Sequence, residues 1–148
     1  MTTPTTLFVS TIVIQDDKVL MIQEGKNHLG QRDKWNFPAG RVELDETIQE
    51  AAVRETKEET GYDVKIDNII SILKEDLDDS MALVVFFAGS LVSDAPDNHE
   101  DGIQDVKFVL IDEMINLDLR YPDLYNIAKK AQRGKKYPLE VLSGSEIK

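Results

Sequence analysis

Three glutamates, Glu55, Glu58 and Glu59, are spaced i, i+3, i+4 in a segment of helical composition. At about 100° per residue they share one helix face, within an arc of roughly 100°. Helix stability does not favour the arrangement. Like charges at this spacing repel by roughly a few tenths of a kcal/mol per pair. Carboxylates in a last helical turn also oppose the helix dipole, at about 0.3–1 kcal/mol each. A bound divalent cation would reverse the sign of every one of these terms. Hard carboxylate oxygens suit Mg²⁺ or Mn²⁺, and magnesium sites keep waters and recruit substrate phosphates. The helix alone leaves a second reading open, a solvated acidic end that binds nothing.

The elements that must position these residues can be read around them. Thr47 followed by Glu50 is a capping-box pattern, Ala51 and Ala52 favour helix, and Gly61 is placed to stop it. A helix is therefore predicted over residues 47–60, with Ala51 and Ala52 extending the carboxylate side and Lys57 pointing elsewhere. Pro38-Ala39-Gly40 marks a turn ahead of it. Residues 7–14 and 18–24 read as a hairpin around Gln15-Asp16-Asp17, and 25–34 as a polar loop. Strands are expected over 62–73, 81–92 and 105–111, with an acidic loop at 93–104. Asp112 is expected to cap a short helix ending near Leu117, and Pro122 and Gly134 to bracket a last helix. No repeat or linker interrupts the chain, so one mixed α/β domain is expected over residues 1–148.

Composition narrows the function classes. With 41% apolar and 30% charged residues, the 148-residue chain reads as globular. No apolar stretch approaches the roughly 20 residues of a membrane span, and residues 1–6 lack the pattern of a secretory signal, so a cytoplasmic location is expected. The absence of cysteine removes disulfides, thiolate nucleophiles and cysteine zinc sites. His28 and His99 are too few for a histidine cage, and neither sits beside a Gly-x-Ser-x-Gly elbow. A formal net charge of −11 argues against duplex nucleic acid as a partner. An acidic protein that handles an anionic substrate needs a cation to mediate.

Residues 40–62 carry a longer pattern: Gly40, five residues, Glu46, seven residues, Arg54-Glu55, Thr56, one residue, Glu58-Glu59, one residue, Gly61, Tyr62. This resembles the Nudix box, the signature of the Nudix hydrolases. The departures are Thr56 and Tyr62 at positions that usually hold bulky aliphatic residues. The resemblance implies the Nudix fold, an α/β/α sandwich around a mixed sheet. It implies metal binding by Glu55, Glu58 and Glu59, with the Gly40 carbonyl as a further ligand and Mg²⁺, or Mn²⁺, as the cation. Arg54 and Glu46 would brace the loop and helix, and a metal-activated water would attack a phosphorus of a diphosphate linkage. Many family members add a carboxylate from a later loop, as ligand or base. That position falls on Gly102 here, leaving Glu100 and Asp101 as neighbours able to substitute or as plain loop charges.

Further segments resemble the NudJ-type branch, phosphatases associated with thiamine-precursor pyrophosphates and nucleoside di- and triphosphates. They are Trp35-Asn36-Phe37-Pro38-Ala39-Gly40, Leu119-Arg120-Tyr121-Pro122 and Lys136-Tyr137-Pro138-Leu139-Glu140. The proline or tyrosine often found about sixteen residues past the box in ADP-ribose and dinucleoside-polyphosphate branches is missing at Leu77-Asp78-Asp79. The expected substrate is thus a small organic diphosphate. The alternatives are a MutT-like nucleoside triphosphate pyrophosphatase and a non-catalytic nucleotide sensor, which would be expected to have lost box carboxylates. Substrate contacts are expected from Lys34, Arg32 and Glu100. One basic group comprises Lys26, His28, Arg32 and Lys34; another comprises Lys129, Lys130, Arg133, Lys135 and Lys136, where it also complements the helix dipole. Trp35 reads as a core anchor or as a platform for a ring. The protein is expected to be a monomer or a homodimer.

Overall fold

The computed structural model describes residues 2–27 and 30–142. The strands are β1 (Thr5–Gln15), β2 (Lys18–Glu24), β3 (Trp35–Asn36), β4 (Ala39–Arg41), β5 (Val64–Asp76), β6 (Met81–Leu91) and β7 (Ile103–Leu110). The helices are α1 (Ile48–Thr60) and α2 (Leu124–Gln132), with 3₁₀ turns at Ile111–Asn116 and Leu139–Val141. The strand order is β3-β2-β1-β6-β5, with β4 also on β1 and β7 also on β2. β1 and β6 run parallel, whereas the other pairings are antiparallel, so the sheet is mixed.

β1 lies at the centre because it is buried on both faces. Val9 and Val13 point to the side packed by Ala51 and Ala52 of α1. Ile12 points to the opposite side, packed by Leu124, Ile127 and Ala128 of α2 and by Met114. Two cores thus form on the two faces of one sheet, which is the α/β/α sandwich that the family resemblance implies. The β1–β2 turn is tight because Asp16 and Asp17 adopt φ of 50° and 62°, the left-handed pair of a two-residue hairpin loop.

The α1 helix begins and ends where its sequence directs. The Thr47 hydroxyl accepts from the Glu50 amide while Glu50 accepts from the Thr47 amide, a complete capping box. Such a cap contributes about 0.5–2 kcal/mol. Gly61 closes the helix at φ 80°, with its amide donating to the Lys57 carbonyl. Thr56, one of the departures from the family pattern, is fully buried; its hydroxyl donates to the Ala52 carbonyl at 2.7 Å. Tyr62, the other, meets Phe108 edge-on at 6.0 Å.

Several boundaries differ from the expectation. The segment at 35–40 divides into two short strands around buried Phe37 and Pro38. β7 begins at Ile103, two residues early, because Ile103 is paired with Glu24 across a bulge. Asp112 does not cap the 3₁₀ turn, whose N-cap position is Leu110; its carboxylate instead accepts from Lys129 at 2.9 Å. The last helix starts at Leu124 rather than at Pro122, and Gly134 follows its end at φ 80°.

Candidate active site

The site is built where β4 passes the last two turns of α1. Gly40 pairs with Val9 of β1, and the Glu55 carboxylate lies directly against it. A Cβ at position 40 would collide with that carboxylate. The Glu59 carboxylate accepts from the neighbouring Ala39 amide at 2.7 Å. Glycine is needed here for close approach rather than for backbone freedom, since Gly40 is not among the positive-φ residues.

Arg54 ties the preceding loop to this face. Its Nε and Nη2 donate to the two Glu46 oxygens at 3.0 and 2.7 Å, a two-pronged pairing that matches guanidinium to carboxylate geometry. Nη2 also reaches the Arg41 carbonyl at 3.0 Å, and Nη1 donates to Glu55 at 2.8 Å and to Glu58 at 3.3 Å. Glu46 additionally accepts from the Glu43 amide at 2.8 Å. The Arg54 hydrogen bond holds the Glu46 carboxyl below its ordinary range, and Glu46 in turn raises Arg54.

Of the two exposed carboxylates expected on the later loop, Glu100 is the one tied to α1. Its amide donates to the Glu58 carbonyl at 2.8 Å, and its charge acts on both Glu55 and Glu59. Asp101 is exposed and contributes to neither shift. Gly102 gives its carbonyl to the Gly25 amide at 3.0 Å. His99 is an exposed loop residue whose Nδ1 lies 3.0 Å from the Glu100 carbonyl.

Burial dominates the electrostatics. It pushes Glu59 well above the ordinary carboxylate value, with Glu55, Glu100 and Glu24 adding to the effect and the Ala39 amide opposing it. Burial also raises Glu55, against the pull of Arg54 and with help from Glu58 and Glu100. Among the described residues no ion pair reaches Glu59, so a buried carboxylate faces other carboxylates without a cation. That is the environment a hard divalent ion fits. Among the described residues, however, no three carboxylates close on one point: Arg54 draws Glu55 and Glu58 to itself, and Ala39 holds Glu59. The oxygens able to hold an ion are those of Glu55, Glu58, Glu59 and Glu100 beside the Gly40 backbone.

Ala39 and Gly40 also line a cleft of about 290 Å³ between the sheet and α2. Its walls include Phe8, Leu73, Val84, Phe86 and Ile127, with Arg120 and Tyr121 among them. Arg120 is almost fully buried, lies 3.5 Å from Glu24 and 5.2 Å from the Tyr121 ring centre. In the sequence, its signal is the Leu119-Arg120-Tyr121-Pro122 segment, which shows no burial of the arginine. Of the residues expected to meet substrate, Glu100 lies beside the carboxylates, whereas Lys34 and Arg32 lie elsewhere. Lys34 is paired with Asp118 at 2.7 Å and Arg32 is exposed; neither lines the cleft. His28 lies outside the described residues. Lys129, Lys130, Arg133 and Lys135 border a separate surface depression beside Tyr125. Trp35 is buried in the core, with Lys107 over its ring at 4.7 Å, so it is an anchor rather than a platform.

Known proteins resolve the class. A NUDIX domain family model matches residues 5–131. The chain is 32% identical over 137 residues to Phosphatase NudJ of Escherichia coli K12, covering 90% of this chain and 88% of that one. A 57-residue stretch is 54% identical to a Caenorhabditis elegans protein whose name places it with the nudix hydrolases, covering 38% of this chain and 15% of that protein. A NUDIX hydrolase from Nitrosomonas europaea superposes with a TM-score of 0.87 at 30% identity, covering 98% of this chain and 99% of that one. A MutT protein from Methanosarcina mazei shares the fold, with a TM-score of 0.74 at 19% identity over 92% of this chain and 99% of that one. The chain is a hydrolase by these likenesses. It belongs to the Nudix family, whose members generally use divalent metal ions.

Proposed function

We propose that this Nudix hydrolase cleaves the phosphoanhydride bond of a small organic diphosphate with Mg²⁺ as its cation. The observation that carries the reading is the Glu55 carboxylate against Gly40 and the Glu59 carboxylate on the Ala39 amide, two backbone positions that line the cleft, with the Glu100 charge acting on both glutamates. Glu55, Glu58 and Glu59 would hold the cation, with Glu100 beside them. When bound, it lowers the pKa of a water and offsets charge on phosphoryl oxygens. The chain's own residues do the rest. Arg54 and Glu46 hold the 41–46 loop against α1. The Ala39 amide orients Glu59. Glu100, carried on a loop bonded to the helix end, would take a proton from an attacking water. The cleft receives the organic group, so the diphosphate lies toward Gly40.

The test is turnover on a panel of nucleoside di- and triphosphates, thiamine pyrophosphate and its pyrimidine precursor diphosphate, with phosphate and pyrophosphate assayed separately. Metal-dependent release of phosphate from diphosphates supports the proposal. Pyrophosphate released from triphosphates replaces it with the MutT-like reading. Binding without turnover replaces it with the sensor.

A further inference from the structure

Basic residues are scarce in this chain and unevenly placed. Residues 124–138 hold five of them, Lys129, Lys130, Arg133, Lys135 and Lys136, and no aspartate or glutamate. Without those five the formal charge of −11 would be −16. The fold gathers four of them around one depression of about 520 Å³, which Tyr125 and Asn126 also line. Gly134, at φ 80°, reverses the chain after α2 and returns Lys135 to the wall that Lys129, Lys130 and Arg133 form. The segment beyond is fastened, because Tyr137 exchanges two backbone hydrogen bonds of 2.8 Å with Ile69 of β5. Lys129 lies 5.9 Å from the Tyr125 ring centre and Lys130 5.9 Å from that of Tyr137, so both cations stand over aromatic faces.

Helix stability accounts for only part of this. Lys129 and Lys130 lie in the last turn of α2, where cations complement the dipole. That effect fades within one turn and does not reach Lys135. Nor are the charges neutralised from within. Asp112 takes Lys129 at 2.9 Å, but among the described residues no carboxylate pairs with Lys130, Arg133 or Lys135, in a chain with 28 acidic residues. Like charges gathered round a hollow repel one another, and a bound anion reverses that sign. The anion has to be compact. Asp112 and Asp17 stand beside the depression, bonded to Lys129 and Gln132, so an extended polyanion would run onto acidic surface. Three unpaired cations around one small hollow call for several negative charges close together, which a chain of linked phosphates carries. The Arg133 guanidinium suits phosphate oxygens. We infer that this depression binds a short polyphosphate chain, at a site separate from the cleft. None of its lining residues lines the cleft, and the site stands whether or not the cleft is catalytic.

Calorimetric titration of the intact protein with inorganic triphosphate, in chelator and at low salt, tests it. Without a divalent cation, Glu55, Glu58, Glu59 and Glu100 repel the probe, so binding reports the depression. Adenosine triphosphate in a second titration distinguishes a free chain from one carried by a nucleotide. Wild type is expected to bind triphosphate, and Arg133→Gln with Lys135→Gln to weaken binding at least about tenfold, the worth of one charge-assisted hydrogen bond. Both residues are exposed, so this double variant should keep the wild-type Tm. Lys26→Gln with Lys65→Gln removes the same charge at exposed positions elsewhere and should leave the affinity nearly unchanged. Adenosine triphosphate that binds no tighter than triphosphate identifies the free chain as the ligand. Tighter binding, lost in the Arg133 and Lys135 variant, identifies a nucleotide-borne chain. Both results support the site. Triphosphate that fails to bind, or equal weakening by the two double variants, overturns it.

Discussion

The backbone amide of Glu100 donates to the carbonyl of Glu58 at 2.8 Å. The bond satisfies one of the last carbonyls of α1, which otherwise have no helical partner, and it places the 93–102 loop in register with the carboxylate face. Two further contacts support it. The Asp97 amide donates to the Gly61 carbonyl at 2.9 Å, and Lys57 reaches the Asp97 carboxylate at 2.6 Å. Lys57, an unspecified position of the family pattern, thus acts as a strap between helix and loop.

This placement separates Glu100 from its neighbour. Glu100→Gln keeps the backbone bond and removes the charge, so the fold should be unaffected while kcat drops by roughly 10²- to 10⁴-fold, the range for loss of a general base. Asp101→Asn should change turnover little. Steady-state kinetics on both variants decide the matter, and a loss confined to Asp101→Asn would reverse the assignment.

Gly61→Ala should damage both stability and activity. Position 61 needs φ 80°, and a Cβ there would strike the Asp97 carbonyl. A non-glycine residue in this region costs about 1–3 kcal/mol before any collision. The expected result is a Tm several degrees lower and slower turnover, because the displaced Asp97 carries Glu100 with it. Thermal melts and kcat on the same preparation would show the two losses together; a normal kcat at low temperature would mean that the strap does not position Glu100.

Gly40→Ala separates the two effects differently. The backbone at 40 accepts an alanine, but its Cβ would occupy the place of the Glu55 carboxylate. Turnover should fall at least about 100-fold, as for a misplaced catalytic group, while the Tm stays near wild type. Wild-type activity would show that Glu55 does not act where it lies in this structure.

The α1 helix was legible because every signal for it is local: Thr47 with Glu50 at the start, Gly61 at the end, alanines on the buried side. The pairing of Arg54 with Glu46 was legible only through the family pattern, since nothing in an eight-residue separation requires contact. The tie between Glu100 and α1, which sets it apart from Asp101, was not legible. It depends on a hydrogen bond to a residue 42 positions earlier in the chain, a tertiary fact. Lys34 and Arg32 were expected near substrate on charge alone, and charge does not specify direction; Asp118 claims Lys34 from across the chain. The burial of Arg120 is not legible in the sequence, because it depends on the packing around Glu24 and Tyr121, far apart in the chain or outside any local pattern.

The pH dependence of the metal-free protein should carry the signature of Glu59. Burial and the neighbouring carboxylates raise its pKa well above the ordinary 4.5. The folded state therefore holds this proton more tightly than the unfolded chain. Its stabilising contribution is complete below about pH 4.5 and is lost as pH rises through the elevated folded value. Glu55 moves in the same direction. Glu46, Asp97 and Asp112, whose values are lowered, act oppositely and below their ordinary range, so only a difference between variants isolates the effect. In chelator, Glu59→Gln should gain Tm relative to wild type as the pH is raised from 4.5 to neutrality, with little difference at pH 4. Mg²⁺ added at pH 7 should then stabilise wild type by mass action and the variant less. Parallel melting curves for the two proteins across that window, with and without Mg²⁺, would mean that Glu59 is neither strained when charged nor part of the cation site.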